Sequence, residues 1–199
     1  MSVLKFETSY KSNVIKLLYS NKNFIKLINP HEDTTGYLDV ADILNGGLWY
    51  FDGNKIEEQG YVFDHDFVDD TITEEKTFVF VETDIENIYD NMFVDFTLYI
   101  CLFTSKSLVR IDDYSSPTLA EIKEIGYKDV GSYGNRIDTL ADIIEDTILS
   151  KKENFKSLGD IRPANRGHET RYVPNSKYYG KCLKFKIQNY NYGGDSCGN

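Results

Sequence analysis

Between Ser9 and Ile28 the apolar residues Val14, Leu17, Leu18, Phe24, Ile25 and Ile28 return at steps of three and four, with Lys11, Lys16, Lys22 and Lys26 on other faces. That spacing predicts one amphipathic helix. Asn29-Pro30 ends it, because the residue before a proline is pushed out of the helical region. A second stripe runs through residues 135–152, where Ile137, Leu140, Ala141, Ile144 and Ile148 share a face. Asn135 is placed to cap its start, and Lys151 and Lys152 complement the negative end of its dipole. A shorter helix is expected over residues 118–126, opened by Ser116-Pro117.

Elsewhere the period drops to two. KTFVFVET (76–83) is rich in Phe and Val and predicts a strand. In residues 91–105 one face carries Val94, Phe96, Leu98, Ile100 and Leu102, and the other carries Phe93, Asp95, Thr97, Tyr99 and Cys101. The first face belongs in a core, and the mixed one tolerates exposure or a second contact. Near the end, KYYGKCLKFKIQNYN alternates Leu183, Phe185 and Ile187 with Lys184, Lys186 and Gln188, the mark of a strand with one face in solvent. The Gly- and Pro-containing stretch 155–176 reads as a basic loop, and acids interrupt every apolar run between residues 31 and 75. The expected fold is α+β: a single domain over residues 1–192, with a mixed or antiparallel β-sheet packed by two or more α-helices. Residues 31–75 form a long acidic insertion or arm, and 193–199 a flexible C-terminal tail.

Charge adds something the pattern does not show. The chain of 199 residues has a formal net charge of −10, distributed as +4 over residues 1–28, −16 over 29–99, −4 over 100–149 and +6 over 150–199. An acidic middle and basic ends suit solubility, and they also suit neighbouring copies that meet head to tail. The 15 tyrosines point the same way, since a ring with a polar tip serves interfaces as readily as cores. No run of 18 apolar residues occurs, and the N-terminal stretch lacks the apolar core of a signal peptide, so a soluble, unsecreted protein with no membrane partner is expected. Three cysteines without metal-binding spacing, Cys101, Cys182 and Cys197, predict reduced thiols.

The sequence carries no catalytic motif. His31-Glu32-Asp33, Asp64-His65-Asp66 and His168-Glu169 offer metal-ligand chemistry, and a metal-assisted hydrolase using His31, His65 or His168 is the enzymatic alternative. Adjacent residues rarely converge on one ion, however, and neither HExxH nor HxH spacing occurs. Phosphate loops and the GxSxG nucleophile turn are absent. Ten bases in residues 150–199, interleaved with Tyr172, Tyr178, Tyr179 and Phe185, resemble a surface that tracks a nucleic acid backbone. The overall negative charge argues against specific binding. An acidic adaptor or inhibitor that mimics nucleic acid is a third reading. Neither an enzyme nor a cofactor is expected.

The helix VIKLLYSNKNFIKLI, the strand DFTLYICLF, the helix GNRIDTLADIIEDTIL and the Gly-Asp-Ile-Arg-Pro turn leading into YYGKCLKFKIQNY follow one another in an order that resembles the neck and tail-terminator (head-tail joining) proteins of long-tailed bacteriophages. The resemblance covers about half the chain and lies in pattern and order. It implies a virion protein, assembled in the host cytoplasm, that forms a ring, usually a hexamer, at the head-proximal end of the tail. Neighbouring neck, connector, tail-tube or sheath proteins would be its partners, and DNA would pass through the channel without specific binding. In such a ring, Lys181, Lys184 and Lys186 are expected to meet acids such as Asp64, Asp66, Asp69 and Asp70 of an adjacent subunit. The long acidic segment departs from the usual pattern of these proteins.

Overall fold

The structure, a computed structural model, describes residues 3–28, 62–63, 77–89, 92–109, 135–150, 158–165, 167–173 and 176–191. The helix expected at 118–126, the tail at 193–199 and all of the acidic segment 31–75 except Val62–Phe63 lie outside these residues. Among them the chain runs α1 (Val3–Tyr19), α2 (Lys22–Ile28), β1 (Val62–Phe63), β2 (Thr77–Tyr89), β3 (Phe93–Ser105), α3 (Arg136–Ser150), β4 (Asp160–Pro163), β5 (Glu169–Tyr172) and β6 (Tyr178–Asn191). A 3₁₀ turn at Lys106–Leu108 follows β3.

The strands form one mixed sheet. Its order is β1-β2-β3-β6-β4, with β5 also paired to β6. β1 runs parallel to β2, and every other pairing is antiparallel. Two long strands, β3 and β6, lie at the centre and align Leu98 with Phe185 and Ile100 with Leu183. Because side chains alternate along each strand, that register puts Val79, Val81, Leu98, Ile100, Leu183 and Phe185 on one face. Among the described residues α1 and α3 pack on this face and α2 packs against both of them, and the shared core takes in Val14, Leu18, Phe24, Leu27, Leu140 and Ile144. The result is the two-layer α+β arrangement that the apolar periodicities imply.

The single N-terminal helix expected over residues 9–28 is two helices. Ser20 and Asn21 break it: the Ser20 hydroxyl donates to the Leu17 carbonyl, and Asn21 Oδ1 accepts from the amides of Asn23 and Phe24 at 3.0 and 3.4 Å. Asn21 therefore caps α2. Its side-chain amide also donates to Thr147 Oγ1 of α3 at 2.6 Å, fixing the corner to the helix beside it. The 76–83 strand runs on to Tyr89, because β3 supplies an antiparallel partner along the whole length, with a bulge at Ile85/Asn87. The 155–176 loop is corrected too. It contains β4 and β5, two four-residue strands that lie end to end along the outer edge of β6. Segments this short show no period, and Pro163 is tolerated there because an edge strand need not donate on both sides.

Asn135 caps α3 as expected, accepting from the Ile137 amide at 2.9 Å. The whole predicted stripe, Ile137, Leu140, Ala141, Ile144 and Ile148, is buried. Two of the three cysteines differ from the expected reduced thiols, and Cys197 lies outside the described residues. Cys101 and Cys182 face each other across the two central strands and are joined by a disulfide between residues 81 apart in sequence. Strand register, which the sequence does not print, brings them together.

Candidate functional site

The face of the sheet away from the helices is divided. At one end Phe78, Phe80, Phe103 and Tyr178 form a separate buried cluster, flanked by Phe63, Cys101 and Tyr172. The rings of Phe78 and Phe80 each lie 5.2 Å from that of Phe103. Gly180 sits opposite Phe103 in the register. A Cβ there would lie 2.5 Å from the Phe103 Cβ and would run into the Leu102 carbonyl oxygen. Only glycine allows the two strands to approach beneath the cluster.

Towards the other end the same face turns polar. Thr97 donates to Glu86 Oε1 at 2.6 Å, and Lys186 is ion-paired to the same oxygen. The ammonium and the hydroxyl both hold the Glu86 carboxyl below the usual carboxylate range. Arg162 stands directly opposite Lys186 in the β4–β6 register and pairs with Asp160. Two cations side by side across strands are unfavourable unless anions attend them, and here Glu86 and Asp160 do so. Glu86, Arg162, Pro163, Ala164, Asn165, Lys186 and Gln188 line a cleft of about 510 Å³. Lys184, on the same face, lies 5.8 Å from the centre of the Tyr99 ring, within cation–π range.

A second charged group sits where α3 meets β5 and β6. Lys181 lies on the helix-facing side of β6, apart from Lys184 and Lys186. Its ammonium is 2.7 Å from Asp138 Oδ1 and also pairs with Glu169. The Asp138 contact is an ion pair more than an aligned hydrogen bond, since the oxygen lies off the bonding direction. Burial alone would lower the Lys181 pKa, but Asp138 and Glu169 outweigh it and push the pKa up to about 12. Asp142 is held above the usual carboxylate range, first by partial burial and then by Asp146, Glu169 and Asp138, against the opposing pull of Lys181. His168 Nδ1 is 2.7 Å from the Lys184 carbonyl oxygen, and its ring meets Phe185 edge-on at 5.0 Å. Nε2 approaches Glu145 at 3.3 Å without hydrogen-bond alignment.

The sequence-expected residues thus fall on two sides of the sheet. Lys184 and Lys186 lie together on the outer face, and Lys181 lies against α3. Asp64, Asp66, Asp69 and Asp70, like His31 and His65, are outside the described residues. Glu86, which belongs to the same acidic stretch, is the acid that Lys186 meets, and it does so within one chain. The contribution of Arg162 and of the cleft was not visible in the sequence, because β4 reads as loop. Among the described residues no group of three or more His, Cys, Asp or Glu could hold a metal ion. No described helix is long and apolar enough to cross a membrane.

Among the described residues, helices packed over one face of a mixed sheet, with a charge-paired cleft on the other, define a two-layer α+β protein. Residues 12–187 match the YomW family, and the chain belongs to that family. The family name is of a phage-associated type. No curated protein and no solved structure matches the chain.

Proposed function

We propose that the chain is a structural subunit of a phage particle, a neck or tail-terminator protein that forms a ring at the head-proximal end of the tail. The ring joins the tail to the head connector, with neck, connector, tube or sheath proteins as neighbours and DNA passing through without specific contact. The phage-related family carries this reading. The order of helix, paired long strands, helix and closing strand supports it, and so does the charge division along the chain. A net negative charge suits a channel that must not grip phosphates, because like charges repel.

The test uses particles purified from a host that carries the gene. Mass spectrometry of the particles should find the chain in stoichiometric amount, and gold-labelled antibody should mark the head–tail junction in electron micrographs. Absence from intact particles would overturn the reading.

A further inference from the structure

Cys101 and Cys182 make one rung of the outer sheet face. They alternate with core residues, Ile100 and Leu102 on β3 and Leu183 on β6, so their side chains lie on the side away from the helices. The next rung of that face in one direction is Phe103 with Gly180, at the aromatic cluster. In the other direction it is Tyr99 with Lys184, where the charged surface begins. The two cysteines are not equally covered. Cys182 is 6% exposed, whereas Cys101 is only partly buried at the flank of the cluster.

The bond is not what sets the register of these strands. β3 and β6 pair from Phe93 with Asn191 to Ser105 with Tyr178, so rungs continue on both sides of the cysteines. The helix-side core, with Leu98, Ile100, Leu102, Leu183 and Phe185, closes on the opposite face and contains neither sulfur. Opening the bond therefore leaves the two thiols facing each other and the topology in place. A disulfide that is reached from solvent, and backed by a register independent of it, is of the labile kind, because exchange is governed by access to a sulfur.

We infer that the Cys101 sulfur is a thiol-exchange site, and that the Cys101–Cys182 bond is a reversible latch worked from the outer face by small thiols and small disulfides. The thiolate of a small thiol attacks the Cys101 sulfur. A new S–S bond forms there, the Cys101–Cys182 bond breaks, and Cys182 leaves as a thiolate that takes a proton from water. A second thiol then attacks the small molecule's sulfur in this mixed disulfide and carries it away as a symmetric disulfide, leaving Cys101 as a thiol. Two electrons and two protons have then passed from the small thiols to the protein, and the same small disulfide reverses both steps. Closed, the latch ties β3 to β6 beside the aromatic cluster. Open, it loosens that part of the outer face while the helix side stays packed. The latch requires no place in the phage particle, and its failure would leave that reading untouched.

The test uses the full chain carrying Cys197→Ser, so that only these two sulfurs report. The chain is oxidised with oxidised glutathione and then treated with reduced glutathione at neutral pH without denaturant. Acid quenching, alkylation and peptide mass mapping should find glutathione on Cys101 and the alkyl group on Cys182, preferred roughly tenfold or more over the reverse, since attack follows access. The far-UV circular dichroism spectrum should stay the same. Hydrogen exchange of the β3 and β6 amides around the rung should quicken on reduction and slow again on reoxidation. Glutathione found mainly on Cys182, a bond that opens only in urea, or thiols that stay reduced in oxidised glutathione would each overturn the inference. So would a reduced chain that has lost its far-UV spectrum, or exchange that is equal in the two states, which would make the bond a passive cross-link.

Discussion

Arg136 is an unusual residue for the first turn of a helix, where the dipole disfavours positive charge. It is 7% exposed, and its guanidinium donates to the carbonyls of Leu27 and Leu108, each at 2.8 Å. Leu27 lies in the last turn of α2, so one buried cation closes the negative end of that helix while its own backbone amide bonds to Val109 at 2.7 Å. Burial lowers its pKa, though arginine stays charged at any ordinary pH. Arg136→Met should lower unfolding free energy by about 3 kcal/mol, since each buried acceptor left unpaired costs about 1–3 kcal/mol; urea denaturation measures it. Asp142 gives a pH-dependent case. Its folded pKa is raised, so ionising it disfavours the folded state, and stability is lost as pH rises through that pKa. Asp142→Asn should therefore stabilise the protein at pH 7, by a few tenths of a kcal/mol as expected for an exposed charge. Melting temperatures compared at pH 7 and about pH 3 should show the difference shrink in acid, where both Asp142 and its unfolded counterpart are protonated.

At the scale of elements, the pairing of β3 with β6 organises the sheet, and two features mark it. Gly180→Ala would force the strands apart beneath Phe103, and overpacking of this kind typically costs about 1–3 kcal/mol, occasionally more. The variant should unfold at clearly lower urea, or fail to fold, while Gly167→Ala, with only Thr170 Cγ2 nearby at 3.5 Å, should be felt through its positive φ alone. The Cys101–Cys182 disulfide closes a separation of 81 residues, for which chain entropy predicts stabilisation of up to about 4.5 kcal/mol. Cys101→Ser with Cys182→Ser should melt lower than wild type, and reductant should lower the wild type and leave the variant unmoved. Intact mass before and after reduction and thiol labelling checks the bond directly. The elements themselves were legible to different degrees. α3 with its Asn135 cap and the alternating face of β6 could be read because local period and burial agree. The break at Asn21 could not, since the apolar spacing continues across it and Thr147 on α3 helps to hold the corner.

For the whole molecule, the surface matters as a distribution. The acidic and basic stretches are far apart in sequence, yet Glu86 of one and Lys186 of the other are partners across the sheet. Part of the charge division is therefore neutralised inside a single chain. Of the sequence-expected interface, Lys184 and Lys186 reach the outer face, and Lys181 is occupied by Asp138 and Glu169. Lysine on β6 alternates with core residues except at Lys181, which shares the parity of Leu183 and lies beside the polar start of α3. Parity was readable from the sequence; the neighbour that changes the lysine's role was not.

By itself, the sequence determined what depends on near neighbours along the chain: two amphipathic segments, two strongly alternating strands, the Asn135 cap and the α+β class. Helical and strand periods are local, and each declares which side must leave water. The tertiary structure alone decided the pairings between distant segments. It set β4 and β5 against β6, joined Cys101 to Cys182, placed Arg162 opposite Lys186 and left the Ile88, Tyr89 and Met92 tip exposed. Register and edge pairing are fixed by the partner strand and by the packing of the opposite face, and neither is written within the segment that obeys them.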